Sequence, residues 1–73
     1  MTDYIVVFVT AGSEKEGEKI AQALVEEKLA ACVNIVPGLK SVFRWKGKIS
    51  TEVEVLLMIK TKDRLFEKLK EDN

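Results

Sequence analysis

Histidine is absent from this 73-residue chain, and cysteine occurs once, at Cys32. Without an imidazole there is no histidine general base, no Ser-His or Cys-His nucleophile and no histidine-based metal site. A single thiol excludes an internal disulfide and any paired-thiolate metal motif. Glycine is scarce and no Gly-rich phosphate loop exists. Gly12 stands alone between a strand and a helix, a weak anion-binding signal. Charge of one sign is also lacking: 12 basic residues balance 12 acidic ones. No net field draws the chain to nucleic acid or to an anionic membrane. The acidic pairs Glu26-Glu27 and Glu71-Asp72 lie near helix ends and read as solvated faces. Long apolar runs are missing too. Tyr4 to Val9 is too short for a signal-peptide core or a membrane span, and Met1-Thr2-Asp3 offers no basic leader. A cytoplasmic location is expected, and the lone thiol agrees with it.

What is present forms one domain, residues 1–73. A chain this small buries only about 60% of its unfolded surface, so it is marginally stable unless something staples it. With disulfides excluded, oligomerisation is the expected staple. The charged residues, 33% of the chain, are mostly Lys and Glu with few Asn and Gln, the bias of proteins from hot environments. Tyr4 to Thr10 is apolar at every position through Val9, the pattern of a strand covered on both faces. Ala11-Gly12 is a loop. Ser13 with Glu16 makes a capping box, and Glu14, Glu16 and Glu18 suit the positive end of a helix dipole. Gly17, Ile20, Ala21, Leu24 and Lys28 then fall on one face, so the helix is expected to run to about Lys28. A second helix is expected after Thr61, which caps it, with Asp63 in its first turn and Leu65, Phe66 and Leu69 as its buried stripe.

Between the helices lies a two-stranded ribbon. Its first arm runs from Ala30 or Ala31 to Trp45 and its second from about Ile49 to Lys60, both rich in β-branched and aromatic residues. Two registers compete. A two-residue loop at Lys46-Gly47 pairs Arg44 with Ile49 and Leu39 with Glu54. A three-residue loop over Lys46, Gly47 and Lys48 pairs Trp45 with Ile49, Phe43 with Thr51, Ser41 with Val53, Leu39 with Val55 and Lys40 with Glu54. The second gives one apolar face and one charge-matched face, so it is the expected register. Pro37-Gly38 predicts a bulge in the first arm. Phe43, Arg44, Trp45 and Lys46 do not form a nucleic-acid patch, because alternation along a strand separates the aromatics from Arg44.

The order strand, helix, strand, strand, helix is most of an α+β, ferredoxin-like split βαβ arrangement, which needs one further strand after the second helix. Without that strand, Tyr4 to Val9 presents an unpaired edge. On the last strand Leu56 and Met58 point one way while Val55, Leu57 and Ile59 point the other. Two helices cover only one of these faces. The ribbon also exceeds the usual strand of about 5–6 residues. A second copy of the chain, packed on Leu56, Met58, Phe43 and Trp45, supplies the missing cover. Cys32 reads either as a small apolar residue or as a soft thiolate ligand, repeated if several chains meet at a symmetry axis. Asn34 lies on the same strand face.

The stretch VTAGSEKEGEKIAQALVEEKLAACVNIVPGLKSVFRWKGKI, followed by acidic residues and LLMIKT, resembles the CutA family of divalent-cation tolerance proteins. The specific residues are Ala31-Cys32-Val33-Asn34-Ile35 with Pro37, then Ser41, Trp45, Gly47-Lys48 and Glu54. The resemblance implies a ferredoxin-like subunit in a homotrimer whose hairpins wrap neighbouring subunits, similar in architecture to the PII signalling proteins. It also implies tolerance of copper and other divalent metals without enzymatic activity. The chain departs from the family in stopping after the second helix, short of a His-Pro-Tyr segment and a further strand. Of the family's metal ligands only Cys32 carries over, and no cofactor is required. Two further readings stand beside this one. A PII-like regulator would bind a small anion through Arg44, Lys46 or Lys48. A structural trimer would present its surface to a protein partner.

Overall fold

Ser13 opens the helix as its spacing predicts. Its backbone is extended, and its hydroxyl accepts the Glu16 N–H at 3.1 Å, satisfying one of the orphan donors of the first turn. The computed structural model describes residues 4–65. Their order is β1 (Tyr4–Ala11), α1 (Glu14–Glu26), β2 (Cys32–Trp45), β3 (Lys48–Lys62) and a 3-10 turn at Asp63–Leu65. The sheet order is β1-β3-β2, and β3 pairs antiparallel with both neighbours. Strands β1 and β2 are therefore parallel with β3 inserted between them, the split βαβ core of the ferredoxin-like arrangement.

Helix α1 ends two residues earlier than its apolar spacing implies. Glu27 is its cap, and Lys28 turns into the left-handed region at φ 60°. The Lys28 N–H bonds the Val25 carbonyl at 3.0 Å and the Leu29 N–H bonds the Leu24 carbonyl at 2.9 Å. These are the two bonds of a Schellman motif, and its usual apolar contact is made by Leu24 and Leu29, both in the core. The core lies between α1 and one face of the sheet. Leu24, Leu29, Ala30, Val55, Leu57 and Ile59 are buried there, with Val7, Val9, Ile20, Val33 and Ile35 packed around them. Gly17 lets the helix approach closely, since a Cβ at this position would meet Leu57 Cδ2 at 3.2 Å.

Two expectations need correction. The turn of the ribbon has two residues, not three. Trp45 faces Lys48, Arg44 faces Ile49 and Leu39 faces Glu54. Lys46 and Gly47 both have positive φ, 52° and 77°, as a type I′ turn requires, and that turn matches the right-handed twist of the flanking strands. Turn geometry outweighs the side-chain pairing that favoured the longer loop. Thr61, in turn, does not cap a second helix. It lies within β3, is buried, and donates its hydroxyl to the Leu29 carbonyl. Residues Phe66 onward, which carry the rest of the expected second helix, lie outside the described residues.

The expected bulge is present. Register shifts between Val36 and Leu39, so Pro37 and Gly38 together oppose one residue of β3. Gly38 sits at φ 79°, a conformation that glycine adopts without the penalty a Cβ brings.

Candidate functional site: the open sheet face and the ribbon

Alternation sorts every strand residue onto the helix side or the opposite side of the sheet. On the side away from α1 the register makes three rows: Val6, Lys60 and Cys32; Phe8, Met58 and Asn34; Thr10, Leu56 and Val36. Tyr4, Val6 and Phe8 are each about half exposed or more, with Phe8 at 64%. Leu56 and Met58 are half-buried. A sheet face built from such residues is expensive to leave in water, at about 25 cal/mol for each Å² of apolar surface.

The ribbon continues this face. Two residues of β2 oppose one of β3 at the bulge, so Leu39, Ser41, Phe43 and Trp45 end up on the same side as Glu54, Glu52, Ser50 and Lys48. That side is also the side of Leu56 and Met58, because all are even-numbered positions of β3 or their partners. The four residues expected at an interface, Phe43, Trp45, Leu56 and Met58, thus share one continuous surface. Ser41 donates a hydrogen bond to Glu54 across the strands, which holds this part of the ribbon's pairing in place. Trp45 is 60% exposed, with the Lys46 ammonium 5.7 Å from its ring centroid, a cation–π distance.

The other side of the ribbon is also apolar. Val42, Ile49 and Val53 are exposed at 68%, 70% and 64%, because α1 covers the sheet body and does not reach the ribbon. Lys40 and Arg44 share that side. The three cations expected to hold an anion are therefore divided. Arg44 lies opposite Ile49 on one side, Lys48 lies opposite Trp45 on the other, and Lys46 occupies the turn.

Cys32 is exposed in the single chain, so it is not the buried small hydrophobe that its neighbours Ala30 and Ala31 allowed. It stands opposite Lys60 on the open face, one row from Met58 and Asn34. Among the described residues no three His, Cys, Asp or Glu side chains come together as a metal cage. One thiol does not hold a copper ion alone, and further donors must come from outside the described chain. Sequence reasoning missed the contribution of Tyr4, Val6 and Phe8 to the open face. Their strand is apolar at every position, which hid the fact that one set faces α1 and the other faces outward.

A shallow groove of about 430 Å³ runs along the outer edge of β2, floored by Ala21, Val25, Val33 and Ile35 and rimmed by Glu18 and Glu26. Among the described residues no helix is long and apolar enough to cross a membrane.

Comparison with known proteins supplies the context for this surface. The family model for CutA1 divalent ion tolerance protein matches residues 5–72. The chain belongs to the CutA1 family. The divalent-cation tolerance protein CutA of Thermus thermophilus is 56% identical over 66 residues, covering 90% of this chain and 64% of that protein. The chloroplastic protein CutA of Arabidopsis thaliana is 54% identical over 67 residues, covering 92% of this chain and 37% of that protein. The chain thus spans less than two thirds of the length of these relatives. A crystal structure of CutA1 from Oryza sativa superposes with a TM-score of 0.92 at 48% identity, covering 96% of this chain and 64% of that one. The three-stranded sheet and single helix of the described residues are therefore the common scaffold of CutA1 structures.

Proposed function

We propose that this chain is the self-assembling part of a cytoplasmic, non-enzymatic protein of divalent-cation tolerance. It acts as a homotrimer that responds to copper or another divalent metal. Family membership supports the tolerance role. The surface that runs from Phe8 through Met58 and Leu56 to Phe43 and Trp45, its apolar groups interrupted by Glu52 and Glu54, carries the assembly. Sheet faces packed on one another around an axis bury that surface, and ribbons laid on neighbouring copies bury Val42, Ile49 and Val53 as well. In such an assembly Cys32 lies on the shared face and recurs once per copy, so thiolates that are single in one chain come together. Thiolate is a soft ligand, and the site would take copper(I) in preference to copper(II).

The test is a copper(I) titration against a colorimetric chelator, with Cys32→Ser beside the parent chain. The reading predicts uptake in a fixed ratio to assembled copies and loss of that uptake in Cys32→Ser, with assembly unchanged. Equal copper(I) uptake by both proteins removes Cys32 from the site. A PII-like anion site at Arg44, Lys46 and Lys48 is not favoured by the geometry, since Arg44 and Lys48 face opposite ways. A partner protein seated on the trimer's surface would leave the assembly part of the reading intact.

A further inference from the structure

At the end of the sheet remote from the ribbon's turn, the start of β1, the end of β3 and the C-terminus of α1 border an open cavity of about 400 Å³. Three cations line it: Lys28, Lys62 and Arg64. Among the described residues no aspartate or glutamate does, although the chain as a whole is charge-balanced. The sorting is done by the fold and not by composition. In the sequence Glu27 precedes Lys28 and Asp63 stands between Lys62 and Arg64, yet only the basic members of these runs reach the cavity. No ion pair joins any of the three cations to a carboxylate among the described residues.

Lys62 has a side-chain partner and Lys28 a set backbone, while the side chains of Lys28 and Arg64 are exposed. Lys62 is half-buried, and its ammonium lies 5.8 Å from the centroid of the Tyr4 ring, itself part of the lining. Lys28 occupies the left-handed position of the helix-terminating motif, where glycine is the usual residue. A side chain kept there at a conformational cost points to a use for its charge. Val25, Ala30 and Leu65 give the same cavity an apolar wall. Clefts lined by one sign of charge concentrate counter-ions. Small-molecule sites combine apolar walls with a few converging polar groups in volumes of about 300–1,000 Å³.

We propose that this cavity binds a small organic phosphate, its dianionic head between Lys28, Lys62 and Arg64 and its carbon body against Val25, Ala30 and Leu65. Arginine offers a planar fork suited to phosphate oxygens, and the two ammonium groups act as point charges. The site adjoins the open face, since Tyr4 and Lys62 pair on the same side as Val6, Phe8 and Met58. Cys32 is not among the residues that line it, so phosphate binding and copper binding are tested separately.

The experiment is a calorimetric titration of the full 73-residue chain with phenyl phosphate and with inorganic phosphate. It is repeated on Lys28→Gly, Lys62→Gln, Arg64→Gln and, as a control on the outer face of α1, Lys19→Gln. Lys28→Gly is the key variant, because it relieves the left-handed lysine and is expected to raise the urea unfolding midpoint while weakening binding. The proposal predicts saturable submillimolar binding of phenyl phosphate that is tighter than that of inorganic phosphate and weakens with salt. Each cavity variant should lose roughly tenfold or more, and Lys19→Gln should lose nothing. Three results overturn it: no saturable heat at millimolar phenyl phosphate, affinity within twofold of the parent in the three cavity variants, or a loss in Lys19→Gln as large as theirs.

Discussion

Individual side chains settle where this chain turns and how closely its layers approach. Thr61 shows how one atom can matter. It is almost completely buried, and its hydroxyl donates to the carbonyl of Leu29, in the connection that leads from α1 into β2. Thr61→Val keeps the shape and removes the donor, leaving the Leu29 carbonyl without that bond in a dry place. A loss of about 1–3 kcal/mol is expected, the desolvation cost of an unsatisfied buried polar group. Urea unfolding of the two proteins measures it. A Thr61→Val midpoint equal to that of the parent would show that the bond contributes nothing. Thr61 also illustrates why a residue's local signature can mislead. Threonine followed by aspartate two positions on reads as a helix cap, yet the strand runs through it to Lys62 because its side chain has a better partner across the core.

Among the elements, the helix and the first strand were legible in sequence, and the ribbon was legible in part. Ser13 and Glu16 announce the start of α1, and Gly17, Ala21 and Leu24 recur at the spacing that buries them. The bulge followed from Pro37, which has no N–H for the ladder, and from Gly38. The register did not follow. Two-residue turns announce themselves through Asn-Gly or Asp-Gly, and here the first turn position is Lys46, a side chain that seldom takes positive φ. The end of α1 was obscured in the same way, by Lys28 where glycine would have been an obvious stop. The open face was legible as a surplus of apolar residues on β3. The basic cavity was not, because Lys28 and Lys62 are far apart in the chain and come to line one pocket only through the fold. The turn yields its own prediction. Gly47→Val places a β-branched residue at φ 77°, at a cost of about 1–3 kcal/mol. Because nothing lies within 4 Å of a Cβ there, the loss comes from backbone strain and not from crowding. Hydrogen exchange should report it as faster opening of the ribbon beyond the bulge, with the α1–sheet core still protected. Uniform loss of protection over the whole chain would contradict this assignment.

For the molecule as a whole, the ribbon extends the shape to 43 Å along one axis against 23 and 22 Å along the others. So small a body covers one face of its sheet and leaves the other, together with both sides of the ribbon, in contact with water. Chains of this size need a staple, and Tyr4, Val6, Phe8, Leu56, Met58, Phe43 and Trp45 offer one as a single surface. The central claim is that this surface is satisfied by further copies of the same chain. Light scattering of the purified 73-residue protein at micromolar concentration tests it most directly. The predicted result is the mass of three 8.2 kDa chains. A stable mass of one chain, with Trp45 fluorescence that of a fully solvated indole, would contradict it.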